Sequence, residues 1–219
     1  MQHLLDRYDC RIYFTAMRKA VLYVHGKNGR ADEADHYQQF FPDYDVIGLD
    51  YNGQTPWETK QEFLEVYNQL ALEYESIRII ANSIGAYFVM NAFADKNIEQ
   101  ALFISPIADM EKLITDMMNW TSISEEKLAE EKEIITSFGE TLSWEYLCYV
   151  RENPIVWSVP TDILYGENDN LTSMDTIFAF TEKHNATLTV MPGGEHWFHT
   201  DEQMKFLDNW LGKCLKKEV

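Results

Sequence analysis

The sequence predicts an α/β fold, with a mainly parallel sheet covered by helices on both faces. Short apolar runs recur along the 219 residues, longer segments with helical spacing separate them, and the composition is 46% hydrophobic and 25% charged. Runs this apolar suit strands buried on both faces, and the segments between them are long enough for helical crossovers. Residues 1–219 are predicted to form one domain, because no stretch rich in Pro, Gly and Ser divides them.

Six apolar runs predict six strands of this sheet. Each run is three or four residues long and is dominated by aliphatic and aromatic side chains. The runs lie at 21–24, 46–49, 77–80, 102–104, 163–165 and 188–190. Because both alternating sets of positions are apolar, the sheet is expected to be covered on both faces.

Two capping boxes in the sequence predict where helices begin. Residues 55–58, Thr-Pro-Trp-Glu, combine an N-cap hydroxyl, proline at the first helical position and glutamate at the third. Residues 200–203 repeat the box with glutamine. Between the fourth and fifth strands, residues 107–158 contain acidic helical patterns at 124–137 and 143–151, which predict an inserted helical cap with a solvated acidic face.

The charge balance and the N-terminal segment exclude several classes of protein. A net charge of −18 repels phosphate backbones and anionic lipid, so no nucleic-acid or membrane partner is expected. Charged residues interrupt residues 1–20, unlike a signal peptide, and no stretch approaches a membrane span. The widely spaced cysteines Cys10, Cys148 and Cys214 are typical of a reducing compartment. These features together predict a cytoplasmic location.

A serine lies between the third strand and the helical pattern that follows it. Residues 81–85 read Ala-Asn-Ser-Ile-Gly, with small residues at both ends. Such residues permit the sharp strand-to-helix turn that exposes a nucleophilic serine, Ser83. The alternative is that Ser83 only caps the next helix, and the five residues alone leave both interpretations open.

An aspartate and a histidine follow two later strands. Asp169 comes just after the strand at 163–165, and His196 just after the strand at 188–190. The carboxyl ends of parallel strands share one edge, so Ser83, Asp169 and His196 are expected to converge there. A serine hydroxyl becomes nucleophilic when an imidazole takes its proton and a carboxylate orients the imidazole. The sequence therefore predicts a catalytic triad.

An acyl-transfer site also needs donors for the oxyanion that forms on the attacked carbonyl. The backbone N–H after the nucleophile, that of Ile84, is one candidate donor. Residues 25–29, His-Gly-Lys-Asn-Gly, follow the first strand, and the N–H of Lys27 is the second candidate. The alternative is a plain glycine-containing turn, and His25 is expected to have a structural role in closing this loop.

With these segments the chain resembles the compact bacterial α/β-hydrolases over residues 20–214. The resemblance is carried by His25-Gly26, the Ala-x-Ser-x-Gly elbow, and the Gly-Glu-x-Asp and Gly-Glu-His segments, in the chain order Ser, Asp, His. It implies a three-layer α/β-hydrolase fold and hydrolysis of an ester, thioester or amide through an acyl-serine, with no cofactor. Ala81 stands where glycine is commoner. Only residues 11–14 precede the first strong strand, so the leading antiparallel strands are expected to be reduced.

Other assignments compete with this triad. Asp109 follows the fourth strand and is the second candidate acid, and His199 is a second candidate base. A metal held by His196, His199, Glu195 and Asp201 is disfavoured, because no recognisable motif supplies a further ligand. A catalytically silent domain that binds a small ligand or a protein partner is the alternative from another class of function.

The substrate is expected to be a small, partly apolar molecule bound between the sheet edge and the cap. Such sites are mostly apolar, and the aromatic residues Trp57, Trp120 and Trp144 are the candidate substrate-binding residues. Each of the three is also compatible with an ordinary place in the core.

Overall fold

The computed structural model describes residues 18–218, and its central feature is a six-stranded parallel sheet. The strands are β1 (Lys19–Val24), β2 (Asp45–Gly48), β3 (Ser76–Asn82), β4 (Gln100–Ile104), β7 (Thr161–Gly166) and β8 (Thr187–Met191). Their order across the sheet is β2-β1-β3-β4-β7-β8, and every neighbouring pair is parallel. The predicted α/β fold is confirmed, with a strand at each of the six predicted runs. Cys10 and residues 11–14 lie outside the described residues.

Seven α-helices are present in the described part, six between strands and the seventh after the last strand. They are α1 (Pro56–Glu73), α2 (Ile84–Ala92), α3 (Met110–Trp120), α4 (Glu125–Glu131), α5 (Trp144–Glu152), α6 (Met174–His184) and α7 (Asp201–Cys214). Two 3-10 helices span Ala31–Phe40 and Leu215–Glu218. Across residues 18–218, no helix combines the length and the apolar character that crossing a bilayer requires.

The helices form two layers with the sheet between them. On one face the core is built with side chains from α1, α2, α3, α5 and α6, including Phe63, Phe88 and Phe180. On the other face the core is built with side chains from the first 3-10 helix and α7, including Tyr37 and Trp210. This arrangement buries both faces of the strands and leaves the ends of the strands available for a site.

Both capping boxes predicted from the sequence are present. The hydroxyl of Thr55 accepts a hydrogen bond from the Glu58 N–H, and the Glu58 carboxylate accepts one from the Thr55 N–H. Thr200 and Gln203 make the same reciprocal pair at the start of α7. Each box satisfies backbone donors that the first helical turn leaves unpaired.

The insertion between β4 and β7, residues 105–160, departs from the sequence prediction at one place. The predicted helical stretch 124–137 is wrong beyond α4, because the backbone at Lys132 turns to a φ of 68° and ends that helix. The chain then forms β5 (Glu133–Ile135), which pairs antiparallel with β6 (Thr141–Ser143). Residues 134–136, Ile-Ile-Thr, are β-branched and favour a strand. Gly139, with a φ of 89°, supplies the turn of this hairpin.

Candidate active site

Ser83 lies on a strained turn between β3 and α2. Its φ of 51° and ψ of −122° are rare for a residue with a side chain and cost on the order of 1–3 kcal/mol. A Cβ at Gly85 would lie 2.4 Å from the carbonyl oxygen of His25, so the turn needs glycine there. The Ser83 side chain does not cap α2 (Ile84–Ala92), so the helix-cap interpretation is wrong.

The three predicted triad residues lie together at the carboxyl edge of the sheet. Ser83 Oγ lies 2.8 Å from His196 Nε2, and His196 Nδ1 lies 2.7 Å from Asp169 Oδ2. If the imidazole carries its proton on Nδ1, it donates to Asp169 and its Nε2 can accept the proton of Ser83. The geometry therefore suits removal of the serine proton by the histidine.

Asp169 is held in place by backbone donors. Its side chain is fully buried, and its Oδ1 accepts hydrogen bonds from the N–H groups of Leu171 at 2.8 Å and Thr172 at 3.0 Å. The other oxygen, Oδ2, is thereby left to His196. Burial and, secondarily, the charge of Asp169 raise the pKa of Tyr165 to about 12, so this neighbour stays neutral and donates to the Thr172 carbonyl.

The loops that carry Asp169 and His196 are joined directly by hydrogen bonds. The N–H of Asn168 donates to the carbonyl oxygen of Gly194 at 2.7 Å, and the N–H of Gly193 donates to Glu167 Oε2 at 2.8 Å. A Cβ at Gly166 would lie 2.4 Å from the carbonyl oxygen of Glu195. Glycine at the end of β7 therefore permits the contact that brings Asp169 and His196 within hydrogen-bond distance.

The second candidate acid and the second candidate base lie outside the hydrogen-bonded line of Ser83, His196 and Asp169. Asp109 is the N-cap of α3, where its side chain accepts a hydrogen bond from the Lys112 N–H at 2.9 Å. The ring of His199 stacks on Trp197, and its Nδ1 lies 2.8 Å from the Trp197 carbonyl oxygen. Within residues 18–218, no group of three His, Cys, Asp or Glu side chains is arranged to hold a metal. The geometry favours Asp169 and His196 as the partners of Ser83.

The turn after β1 is fixed beside the serine. The N–H of Gly29 donates to the Gly26 carbonyl at 3.1 Å, and His25 Nδ1 lies 2.8 Å from the same oxygen. Tyr51 stacks on His25, and its hydroxyl donates a hydrogen bond to the His25 carbonyl oxygen.

The backbone N–H groups of Lys27 and Ile84 are the predicted oxyanion donors. Across the described residues, no protein group accepts a hydrogen bond from either of them. The side chain of Lys27 is engaged separately, because its ammonium pairs with Glu140 of the hairpin turn.

A cavity of about 710 Å³ contains Ser83 and His196. One wall is apolar and comes from the segment after His196 and from α7. It consists of Trp197, Phe198, Met204 and Leu207. A second group of lining residues carries polar groups and comes from β1, β3 and the first 3-10 helix. It includes Tyr23, Glu33, His36, Tyr37 and Asn82. The cavity is thus suited to a partly apolar molecule with its reacting group at Ser83.

The tryptophans predicted to bind substrate lie elsewhere. None of Trp57, Trp120 and Trp144 is among the described residues that line this cavity. Trp57 packs against Tyr146 and Tyr149 of α5, Trp120 is half exposed, and Trp144 packs against the core. Sequence reasoning missed the walls that the first 3-10 helix and Trp197 provide. The position of Trp197, directly after the predicted base, was the available signal.

Comparison with known proteins gives likenesses in structure. No family model and no curated protein matches the chain by sequence. Est1E from Butyrivibrio proteoclasticus with ferulic acid bound has a TM-score of 0.72 at 16% identity, over 92% of this chain and 90% of that one. Mouse alpha/beta hydrolase domain-containing protein 10 has a TM-score of 0.72 at 12% identity, over 91% of this chain and 90% of that one. The Pyrococcus furiosus esterase Pf2001 has a TM-score of 0.59 at 19% identity, over 92% of this chain and 81% of that one. At identities this low, these likenesses establish the fold.

Proposed function

Given that this chain has the α/β-hydrolase fold, we propose that it is a serine hydrolase acting on an ester, thioester or amide of a small, partly apolar substrate. The observation that carries the proposal is the continuous hydrogen-bonded line from Ser83 through His196 to Asp169. A helix-capping serine or a solvated surface histidine would not require this arrangement. The esterases among the structural neighbours support the same class of reaction.

In the first half of the reaction, Ser83 Oγ attacks the carbonyl carbon of the substrate. The serine proton passes to His196 Nε2, while Asp169 stabilises the imidazolium through Nδ1. The carbonyl π electrons move onto oxygen, and the N–H groups of Lys27 and Ile84 are the proposed donors to that oxyanion. The intermediate then expels the alcohol, thiol or amine, which takes the proton from His196 and leaves an acyl-serine.

In the second half, water takes the place of the leaving group. His196 accepts a proton from the water as its oxygen attacks the acyl carbon, and the same backbone donors stabilise the second oxyanion. Collapse of this intermediate returns the proton to Ser83 Oγ and releases the acid.

The setting proposed for this reaction is the cytoplasm, with a small molecule as the substrate. The acidic composition and the wide spacing of the cysteines support it. A structure of Est1E contains ferulic acid. An ester of a hydroxycinnamic acid, ethyl ferulate, therefore belongs in a substrate panel beside short-chain acyl esters, a thioester and an amide.

The proposal is tested by labelling the folded protein with a fluorophosphonate, beside the Ser83→Ala variant. We expect one adduct at Ser83 by peptide mass spectrometry, no adduct in the variant, and a loss of at least about 10³-fold in kcat on the best substrate of the panel. Circular dichroism checks that the variant is folded. A folded wild-type protein that neither reacts nor hydrolyses any member of the panel would instead be a silent binding domain.

A further inference from the structure

Trp197 is an exposed indole on the apolar wall of the catalytic cavity. It follows His196 directly in the chain, and 71% of its surface is exposed. Most exposed apolar side chains need no explanation, but a large one within a catalytic cavity marks a surface that a ligand can cover. The neighbouring Phe198 is buried, so the indole is the part of this wall that reaches farthest into solvent.

The indole is held in position although it is exposed. The imidazole of His199 stacks on it, with ring centres 4.2 Å apart and planes inclined by 17°. His199 Nδ1 also lies within hydrogen-bond distance of the Trp197 carbonyl oxygen. The backbone N–H of His199 donates to Gln203 Oε1, the oxygen that also completes the capping box of α7. The ring is therefore supported from one side by a segment anchored to a helix.

Among the described residues, His199 is the only ring that packs on Trp197. A ring stack covers one face of the indole, and the high exposure leaves the other face open. Aromatic rings stack favourably on such a face when offset, and a surface ordered in advance loses little entropy when a ligand binds. These are the properties of a platform for a flat, apolar ring.

We propose that Trp197 is a specificity-determining residue that binds an aromatic ring of the substrate, with His199 as its support. The inference rests on the proposed hydrolase function, and it narrows the substrate class to esters with an aryl group in the acid or the alcohol. The ring lies on the indole while the carbonyl group reaches Ser83. Trp197 belongs to the apolar lining of the cavity, whereas Glu33 and His36 belong to its polar lining, so the apolar ring is expected on Trp197.

The test compares pairs of esters in which a planar phenyl ring is replaced by a saturated cyclohexyl ring. The acid pair is ethyl 3-phenylpropanoate and ethyl 3-cyclohexylpropanoate, and the alcohol pair is 2-phenylethyl acetate and 2-cyclohexylethyl acetate. A generally apolar pocket would accept both members of a pair, whereas stacking favours the planar ring. For the wild-type protein we expect kcat/KM to favour the aryl member of at least one pair about fivefold.

Two variants at Trp197 and one at His199 test the stacking surface, and a variant at Trp120 is the control. We expect Trp197→Leu to reduce the aryl preference to less than about twofold, through a higher KM for the aryl ester, while Trp197→Phe keeps most of the preference. His199→Ala is expected to lower the preference partly. Trp120→Leu removes a half-exposed indole outside the cavity, and the aryl preference of this variant is expected to equal that of the wild-type protein.

The outcomes separate this inference from the proposed function. A protein that is labelled at Ser83 but shows no aryl preference, or whose preference survives in Trp197→Leu, overturns the platform and leaves the hydrolase intact. Loss of the preference in Trp120→Leu also overturns it. If the wild-type protein is neither labelled nor active, the proposed function fails. Calorimetric titration of the wild-type protein with 2-phenylethanol and 2-cyclohexylethanol then tests the proposed stacking on Trp197. Tighter binding of 2-phenylethanol would support it, and equal affinities would overturn it.

Discussion

Two connections of this sheet carry an aspartate after a buried strand, and only one of them reaches the histidine. After β7, Asp169 accepts two backbone hydrogen bonds with one oxygen and presents the other to His196. After β4, Asp109 accepts a backbone hydrogen bond at the start of α3 and serves as its cap. The local chemistry is similar, because both carboxylates satisfy N–H groups of the residues that follow them.

The difference between the connections lies in what packs against each of them. β7 is the neighbour of β8, so the loop after β8 lies directly beside the loop after β7. Gly166 permits the two loops to touch, and Glu167 and Asn168 bind the backbone of the histidine loop. The connection after β4 leads into the insertion. Contacts between the loops that follow neighbouring strands therefore decide which aspartate lies against His196.

The largest expected effect distinguishes the two aspartates. Asp169→Asn keeps an oxygen for the N–H groups of Leu171 and Thr172 but turns an amide toward His196. The histidine would then hold its proton on Nε2 and could not accept the proton of Ser83, so we expect kcat to fall roughly 10³- to 10⁴-fold. Asp109→Asn is the matched control, since asparagine also caps helices well, and its kcat is expected within about twofold. The reverse result would make Asp109 the acid.

The next effect tests the contact between the loops. A Cβ at Gly166 would meet the backbone of Gly194 and Glu195 at 2.4–2.6 Å, and backbone atoms cannot yield as a flexible side chain does. For Gly166→Ala we expect a displacement that lowers kcat about 10²-fold. Gly212→Ala in α7 is the control, because its Cβ would meet nothing within 4 Å and alanine favours a helix. Steady-state kinetics and thermal unfolding of both variants check this, and wild-type activity in Gly166→Ala would contradict it.

A smaller effect is expected where a side chain bridges the loops. Glu167 Oε2 accepts a hydrogen bond from the N–H of Gly193, three residues before His196. Glu167→Ala removes this bond, and we expect kcat to fall about fivefold with little change in KM, since the histidine is less firmly placed. Glu167→Gln keeps an oxygen acceptor and is expected to restore most of the activity. Equal losses in both variants would show that the carboxylate charge matters rather than the hydrogen bond.

The strands can be predicted from the sequence, and so can the meeting of Ser83, Asp169 and His196 at one edge, because the determinants are local or follow from parallel topology. Runs such as 77–80 specify buried strands, and residues placed after parallel strands must share an edge. The hairpin in the insertion was missed, although Gly139 and the β-branched residues before it were visible signals. The run of glutamates that begins in the preceding helix led the sequence prediction to extend that helix too far.

The walls of the cavity were less predictable than its centre. The prediction placed Trp57, Trp120 and Trp144 around the substrate because they are large and apolar, but that property does not fix a position in space. Which segments face Ser83 depends on how the first 3-10 helix and the loop after β8 pack against the sheet. Trp197 is placed by its contact with His199 and by the capping box beyond it, and no periodicity in the sequence encodes that arrangement.

The smallest effect should separate stability from activity in the β4 connection. Asp109→Ala leaves the Lys112 N–H without its capping acceptor, which costs about 1 kcal/mol in the free energy of unfolding. Because Asp109 makes no contact with His196 among the described hydrogen bonds, kcat per folded molecule should not change. Urea unfolding and active-site titration with a fluorophosphonate measure the two quantities separately. A loss of kcat at full labelling would mean that α3 positions the site, and the contrast between the two connections would then be one of degree.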